Sequence, residues 1–220
     1  MVTLKWSLVF DKMTSLLQGC AVTMEISVLT LIFGTILGVV LALMRDSHIK
    51  VVSRLAQMYI WIWRGTPLMV QAFLIYFGLP NLGITFSAMT AGVLSMSLNT
   101  GAYIAEIVRS GIMSVDIGQF EAGRSLGLNY QQTMQSIILP QAIKNILPAL
   151  LNEVISLLKE TSISGYIGVM DLTKGGDIIR SNTYEAFLPL IAVAIIYLAL
   201  VMLLSFLAGK LERRLRNNER

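Results

Sequence analysis

The sequence of 220 residues has few of the side chains on which catalysis and metal binding usually depend. Its single cysteine, Cys20, excludes an intramolecular disulfide and a multi-cysteine metal site. Its single histidine, His48, lies in a basic stretch with no metal-binding cluster beside it. Neither residue has a partner for nucleophilic or metal-assisted catalysis, so we expect no enzymatic activity, no resident metal and no cofactor.

Charged residues are also scarce, at 14% of the chain against 55% hydrophobic residues, where soluble domains carry about 25% charged residues. The stretches 26–44, 65–105 and 186–209 contain no charged residue at all. Because a helix needs about 20 apolar residues to cross a bilayer, the outer two stretches predict one span each and the middle one more than one. We predict an all-α integral membrane protein with five spans, at residues 20–44, 55–78, 84–108, 143–160 and 186–208.

The basic residues predict the orientation of these spans. Eleven lysines and arginines fall on the side of the 109–144 loop and the carboxyl terminus, and five fall on the opposite side, with Arg64 inside the second span. Since basic loops stay in the cytoplasm, we predict a cytoplasmic carboxyl terminus. The predicted parts are an extracytoplasmic segment over 1–16, a transmembrane domain over 17–210 and a basic tail over 211–220. A basic tail at the membrane edge faces anionic lipid, which argues against nucleic acid as a partner.

The cytoplasmic 109–144 loop has the pattern of two short helices joined by a turn. Glu121 to Leu126 predict a helix that Gly127 ends, since glycine readily adopts the left-handed conformation that follows a helix. Asn129 predicts the cap of a second helix, which Pro140 ends or kinks before the fourth span. A compact element of this kind is typical of a surface for a partner protein, although an ordinary amphipathic loop has a similar pattern.

The same loop resembles a known family. Its spacing of Glu-Ala, four residues, Gly, nine residues and Ile-x-Leu-Pro is similar to the EAA loop of ABC importer permeases, whose coupling helix docks into a groove of the ATPase subunit. Position 123 is Gly where that family usually has Ala, so a small side chain is retained. Within the 116–140 loop, the resemblance assigns ATPase coupling to Glu121, Ala122, Gly123, Gly127, Leu139 and Pro140.

Three further stretches narrow the resemblance to permeases for polar amino acids of the histidine, glutamine and arginine type. They are 64–68 with Gln71, 99–106 with 109–111, and 159–162. The resemblance implies a type I importer fold, with a five-span core in each of two permease subunits that are identical or homologous. It also implies two ATPase subunits inside, an amino-acid-binding protein outside and a location in the bacterial cytoplasmic membrane. The chain has no Gly-x-x-x-x-Gly-Lys-Ser/Thr loop, so we expect ATP to bind to the ATPase subunits.

Polar side chains recur along the third and fourth spans, where an ionised group costs at least about 2.5 kcal/mol. Helical spacing puts those of each span on one face or on adjacent stripes, which predicts a hydrated substrate path between the two helices. In that interpretation Glu153 and Glu160 accept the substrate ammonium group, and Asn99, Tyr103 and Lys159 bind its carboxylate. Polar contact between packed helices stays open as the alternative for each residue. The complete set is Asn99, Tyr103, Glu106, Asn152, Glu153, Ser156, Lys159 and Glu160.

Arg64, Gly65 and Pro67 predict a break in the second span, where the charge of Arg64 would satisfy carbonyl groups that the break frees. The acidic residues of the path favour a cationic or neutral polar amino acid over an acidic one. Two other classes stay open: a permease for another small polar solute, and a stand-alone channel or secondary carrier that transports without an ATPase. The sequence names neither the amino acid nor the second permease subunit.

Overall fold

The computed structural model describes residues 10–217, and every regular element in this part of the chain is helical. The α-helices are α1 (Met13–Arg45), α2 (Lys50–Gly65), α3 (Leu68–Phe73), α4 (Ala88–Met113), α5 (Ile117–Ser125), α6 (Tyr130–Thr133), α7 (Leu139–Glu160), α8 (Leu172–Thr183) and α9 (Phe187–Asn217). Short turns of other helical types occupy Leu74–Gly78, Leu79–Leu82, Met134–Ile138 and Thr161–Ile167. Most of the predicted 1–16 segment and residues 218–220 of the predicted tail lie outside the described residues.

These helices fall where the sequence predicts membrane spans. α1, α4, α7 and α9 coincide with spans one, three, four and five, and α2 with α3 coincides with span two. Within residues 10–217, two helices are long and apolar enough to cross a bilayer by themselves, Met13–Arg45 and Phe187–Arg214, and Leu68–Leu82 forms a shorter apolar stretch. Because α4 and α7 carry ionisable residues, a membrane crossing by either helix requires compensation by other parts of the protein, and the five-span count stays a prediction.

The most extensive helix pair joins α1 to α4. Gly34 and Gly38 lie one turn apart on α1 and face Thr100 and Ile104 of α4. A Cβ atom added at Gly38 would lie 2.6 Å from the Ile104 Cβ atom, and one added at Gly34 would lie 3.0 Å from Thr100 Cγ2. The two glycines therefore permit a backbone approach that larger side chains would block.

The second span is broken between α2 and α3. Thr66 has extended backbone angles of φ −121° and ψ 145°, because the ring of Pro67 disfavours the helical conformation in the residue before it. α2 accordingly ends at Gly65, and α3 begins at Leu68, directly after the proline. The break frees carbonyl groups at the end of α2, and these need hydrogen-bond donors from elsewhere in the protein.

α5 and α6 form the two-helix element predicted in the 109–144 loop, which we call the cytoplasmic hairpin (Ile117–Ile138) after its predicted location. Gly127 follows α5 in the left-handed conformation with φ +78°, and the Leu128 amide donates to the Gly123 carbonyl oxygen at 3.1 Å. Asn129 caps α6: its side chain accepts from the Gln132 amide at 2.9 Å, and the Gln132 side chain accepts from the Asn129 amide at 2.9 Å. The predicted helix end at Gly127 and helix start at Asn129 are both confirmed.

Pro140 does not end the second helix of this hairpin, which corrects one of the two outcomes predicted for it. A π-helical turn over Met134–Ile138 leads directly into α7, and Pro140 lies in the first turn of that helix. Proline has no amide hydrogen and its ring crowds the preceding turn, and a wider π-helical turn at this point relieves both conflicts. The chain therefore stays helical from Tyr130 to Glu160.

The 161–185 segment, expected as a loop between spans, contains the additional helix α8. Asp171 caps this helix by accepting from the Lys174 amide at 2.9 Å, and the Leu172 amide donates to Thr23 Oγ1 of α1 at 3.1 Å. Leu172 also lies in a buried cluster with Leu16 of α1 and Leu188 of α9. α8 is therefore fixed across the ends of α1 and α9.

Candidate functional site

A cleft of about 910 Å³ opens between α4 and α7, next to the broken end of α2. Arg64 lines it from α2, Tyr103 and Glu106 line it from α4, and Asn145 lines it from α7. Arg64 lies one residue before the end of α2, directly beside the helix break. The structure thus brings two predicted path residues, Tyr103 and Glu106, together with an arginine for which the sequence predicted a structural role.

The polar face of α7 holds the other predicted path residues. Asn152, Lys159 and Glu160 are exposed, and Glu153 and Ser156 are half-buried. Glu153 lies within electrostatic range of Glu160 on its own helix and of Arg64 on α2. Carboxylates of α7 and the guanidinium of α2 therefore share one electrostatic environment.

Asn99 lies apart from the exposed polar residues and is 5% exposed. Its amide nitrogen donates to the Trp63 carbonyl oxygen at 3.0 Å and to Gln71 Oε1 at 2.9 Å. The Gln71 amide nitrogen in turn donates to the Trp63 carbonyl at 2.8 Å and to the Thr66 carbonyl at 3.0 Å. Two side-chain amides thus supply donors for the carbonyl groups that the break frees, the task that the sequence suggested for Arg64.

Glu106 is the centre of an ion cluster that joins three helices. Its carboxylate accepts a hydrogen bond from Arg45 Nη1 at the end of α1. Arg64 Nη1 lies 3.8 Å and Arg109 Nη1 lies 3.6 Å from its oxygens. Arg109 lies three positions after Glu106 on the same helix, a spacing at which ion pairs form, whereas Arg45 is 61 positions away in the chain and gives no local signal. One carboxylate thus faces three guanidinium groups.

The Arg64 guanidinium lies over the ring of Tyr103, with 5.2 Å between its carbon atom and the ring centroid. Such a cation–π contact attracts the guanidinium to the face of the ring. The Arg64 side chain remains 41% exposed and lines the cleft.

The surface of the cytoplasmic hairpin combines the predicted coupling residues with exposed apolar side chains. Glu121, Ala122 and Gly127 are exposed, Gly123 is buried against Thr133, Leu139 is half-buried and Pro140 is exposed. Ile117, Leu126 and Tyr130 are 74%, 77% and 64% exposed, and sequence reasoning did not select them. These residues could have been identified as large apolar side chains in or next to two short helices. A patch of such side chains at the surface marks an interaction site.

The chain matches the family model described as the binding-protein-dependent transport system inner membrane component over residues 34–217. It is 45% identical over 205 residues to the putative glutamine transport system permease protein GlnP of Rickettsia bellii (strain RML369-C), covering 93% of this chain and 94% of that protein. It is 40% identical over 219 residues to the arginine transport system permease protein ArtQ of Bacillus subtilis (strain 168), covering 99% of this chain and 100% of that protein.

Solved structures agree with these relatives. A crystal structure of an amino acid ABC transporter with histidines matches with a TM-score of 0.94 at 44% identity, covering 97% of this chain and 100% of that chain. An inward-facing structure of the MetNI methionine ABC transporter matches with a TM-score of 0.68 at 22% identity, covering 96% of both chains, which supports the fold alone. The expected all-helical fold of a type I importer permease is confirmed. The chain belongs to the family of binding-protein-dependent transport system inner membrane components.

Proposed function

We propose that this chain is the membrane-spanning permease subunit of an ATP-driven importer of polar amino acids. The observation that carries the proposal is its match, over nearly its whole length, to relatives named as glutamine and arginine permeases and to a solved amino acid transporter. The chain is the transport component, and ATP binding and hydrolysis belong to its ATPase partner, since the chain itself has no phosphate-binding loop.

The exposed polar side chains of α7 support a substrate path along this helix. In a single chain that path is open on one side. Lipid tails cannot hydrogen-bond such groups, so within a bilayer they face water or another protein surface. Asn145, Asn152 and Lys159 recur every seven residues and are all exposed, which places them on one side of α7. A second permease subunit packed beside this face would enclose a hydrated path between the two subunits.

The charges beside this path suit a free amino acid, which carries one positive and one negative group. Glu153 and Glu160 offer carboxylates to the ammonium group, and Tyr103 and Lys159 offer donors to the substrate carboxylate. The described hydrogen bonds of Asn99 favour a packing role for that residue instead. Because two carboxylates lie on α7 near the path, a cationic or neutral polar side chain is favoured over an acidic one.

The cytoplasmic hairpin is the proposed docking site for the ATPase. Its exposed apolar side chains, Ile117, Leu126 and Tyr130, would insert into a groove of the partner, while Glu121 and Arg124 supply exposed charges at the rim. The carboxyl terminus lies on this cytoplasmic side, as the basic residues predict. The opposite end, where α8 crosses α1 and α9, then faces the amino-acid-binding protein outside.

Reconstitution tests this function. Proteoliposomes with the permease, its cognate ATPase and its binding protein should accumulate labelled arginine or glutamine only when ATP is present on the ATPase side. Uptake that persists without the ATPase would instead identify a channel or secondary carrier. Glu121→Arg, which reverses a charge on the hairpin, should abolish uptake and ATPase association. Glu185→Arg, at an acidic residue after α8, is the control that should leave the ATPase bound.

Glu153→Gln tests the substrate path, because it keeps size and hydrogen bonding and removes only the charge. It should leave assembly and basal ATP hydrolysis intact and weaken uptake, most strongly for a cationic amino acid. Glu25→Gln, at an exposed carboxylate of α1, is the matched control and should transport as the wild type does. Wild-type affinity and rate in the Glu153 variant would identify a structural residue.

A further inference from the structure

We propose that Arg64 binds the α-carboxylate of the transported amino acid. The inference rests on the proposed function and adds one specific ligand to its path. Arg64 is available for this role because the Trp63 and Thr66 carbonyl groups at the helix break have donors from other side chains. The amides of Gln71 and Asn99 lie 2.8–3.0 Å from the carbonyl oxygens of Trp63 and Thr66.

The position of Arg64 suits a ligand in the cleft. Its guanidinium lies over the ring of Tyr103 at 5.2 Å, and 41% of its side chain is exposed. Contact with the ring restricts the planar group, and the contact of its Nη1 atom with Glu106 is long, at 3.8 Å. A carboxylate in the cleft would meet two parallel N–H donors, the geometry that arginine uses for bidentate binding.

The charge of Arg64 is only partly compensated within the described residues. Glu106 is shared with Arg45, which donates a hydrogen bond to it, and with Arg109 at 3.6 Å. Arg64 is the most distant of the three, at 3.8 Å from Glu106, beyond the roughly 2.7–2.9 Å of a charge-assisted hydrogen bond. A ligand carboxylate at hydrogen-bond distance would therefore bind Arg64 more closely than Glu106 does.

The surrounding charges favour an amino acid over a simple anion. Glu153 lies within electrostatic range of Arg64, so a cation and a carboxylate act on the same space. Glu153 repels a phosphate or a lipid headgroup that carries only negative charge, whereas the charge of Glu106 is already balanced by its arginines. A zwitterion that places its carboxylate on Arg64 and its ammonium group towards Glu153 gives each of these side chains a partner of opposite charge.

The test compares arginine with argininamide, in which a neutral amide replaces the α-carboxylate. Binding of both is measured on the purified permease–ATPase complex in nanodiscs, without the binding protein, so that only the permease selects. The wild type should bind arginine more tightly than argininamide. Arg64→Gln should weaken arginine binding about tenfold or more, the size of a lost charged hydrogen bond, and leave argininamide binding unchanged. If the transporter takes glutamine, glutamine and its α-amide are the probes.

Arg54→Gln is the matched control, because Arg54 is an exposed arginine on the same helix and lies ten positions earlier. It should retain the wild-type preference for the carboxylate. Arg64→Lys keeps the charge but loses the bidentate edge, so it should bind arginine several-fold more weakly. If Arg64→Gln does not assemble with the ATPase, the Arg64→Lys variant tests whether Arg64 binds the carboxylate.

Equal weakening of both probes, or no weakening of either, would overturn the assignment of Arg64. A wild-type complex that binds both probes equally overturns it as well and leaves the proposed function standing. A wild-type transporter that takes up neither arginine nor glutamine with ATP counts against the proposed function itself.

Discussion

A methyl group added at Gly123 should loosen the cytoplasmic hairpin. Its Cβ atom would lie 2.7 Å from Thr133 Cγ2 and 2.8 Å from Thr133 Oγ1, where non-bonded carbon atoms normally rest about 3.5–4.0 Å apart. Both residues are buried, so the clash is not relieved by solvent. Overpacking costs about 1–3 kcal/mol, and Gly→Ala within a helix gains about 0.5–1 kcal/mol. Gly123→Ala should therefore destabilise the hairpin by up to about 2.5 kcal/mol.

Thr133→Ala should rescue this variant, because it removes both clashing atoms at once. Thr133 Oγ1 has no hydrogen-bond partner among the described residues, so its removal breaks no such bond there. The double variant keeps the helix-favouring alanine at position 123 without the clash and should be at least as stable as the wild type. The coupling free energy between the two substitutions should be about 1–3 kcal/mol, the size of the relieved overpacking.

Hydrogen exchange of the 117–138 amides measures this local stability directly, and ATPase association and ATP-driven uptake report its functional effect. Exchange should be faster in Gly123→Ala and return to the wild-type rate in the double variant. Gly209→Ala, at a glycine of α9 whose added Cβ atom would meet no described atom within 4 Å, is the control. Additive effects of the two substitutions would refute the close approach of α5 to Thr133.

Three further perturbations test other contacts through the thermal stability of the purified permease. Gly38→Leu should lower it, because even a Cβ atom there lies 2.6 Å from Ile104 and would separate α1 from α4. Glu106→Gln should cost about 1–3 kcal/mol, because it leaves three guanidinium groups of a partly buried cluster without their anion. Asp171→Asn should raise stability at neutral pH: burial raises the pKa of Asp171, so the folded protein disfavours its charged form. Wild-type stability should accordingly gain from Asp171 as pH falls from 7 towards the ordinary aspartate pKa of about 3.9, and the asparagine variant should lack this gain.

Asp177 supplies a control of opposite sign for the pH experiment. Hydrogen bonds from Arg180 lower the pKa of Asp177, so its contribution to stability is present at neutral pH and is lost as pH falls through its folded pKa. Asp177→Asn should therefore not reproduce the gain of Asp171→Asn. Equal pH profiles for the two variants would contradict the burial argument.

Short-range signals predicted the parts of the fold that neighbouring residues decide. Gly127 and Asn129 end and start helices through bonds to residues at most five positions away, so the sequence alone identified both. The contacts of Asn99 were not predictable in this way, because Gln71 is 28 positions away and meets it only once α3 folds beside α4. The ion pair of Arg45 with Glu106 spans 61 positions for the same reason.

α8 escaped prediction because its sequence has no long apolar run. Its buried residues Leu172 and Ile179 lie seven positions apart, between polar residues that an argument from span length assigns to a loop. The cap at Asp171 and the bond from Leu172 to Thr23 complete the helix, and the second of these depends on α1. A short amphipathic helix of this kind is stabilised mainly by packing, so it can be predicted only when the surface that it packs against is known.

The ion cluster of Glu106 has a consequence for the order in which the chain enters the membrane. Arg45 and Arg64 precede Glu106 in the sequence and Arg109 follows it by three positions, and synthesis proceeds from the amino terminus. Two positive partners are thus already synthesised when α4 emerges, so its carboxylate need not enter the bilayer uncompensated. α4 in turn offers a protein surface to α7, a helix that is synthesised later and packs against it. Each polar helix can therefore pack against segments that were synthesised before it. Without those contacts, the helix would need a long apolar run of its own to enter the bilayer.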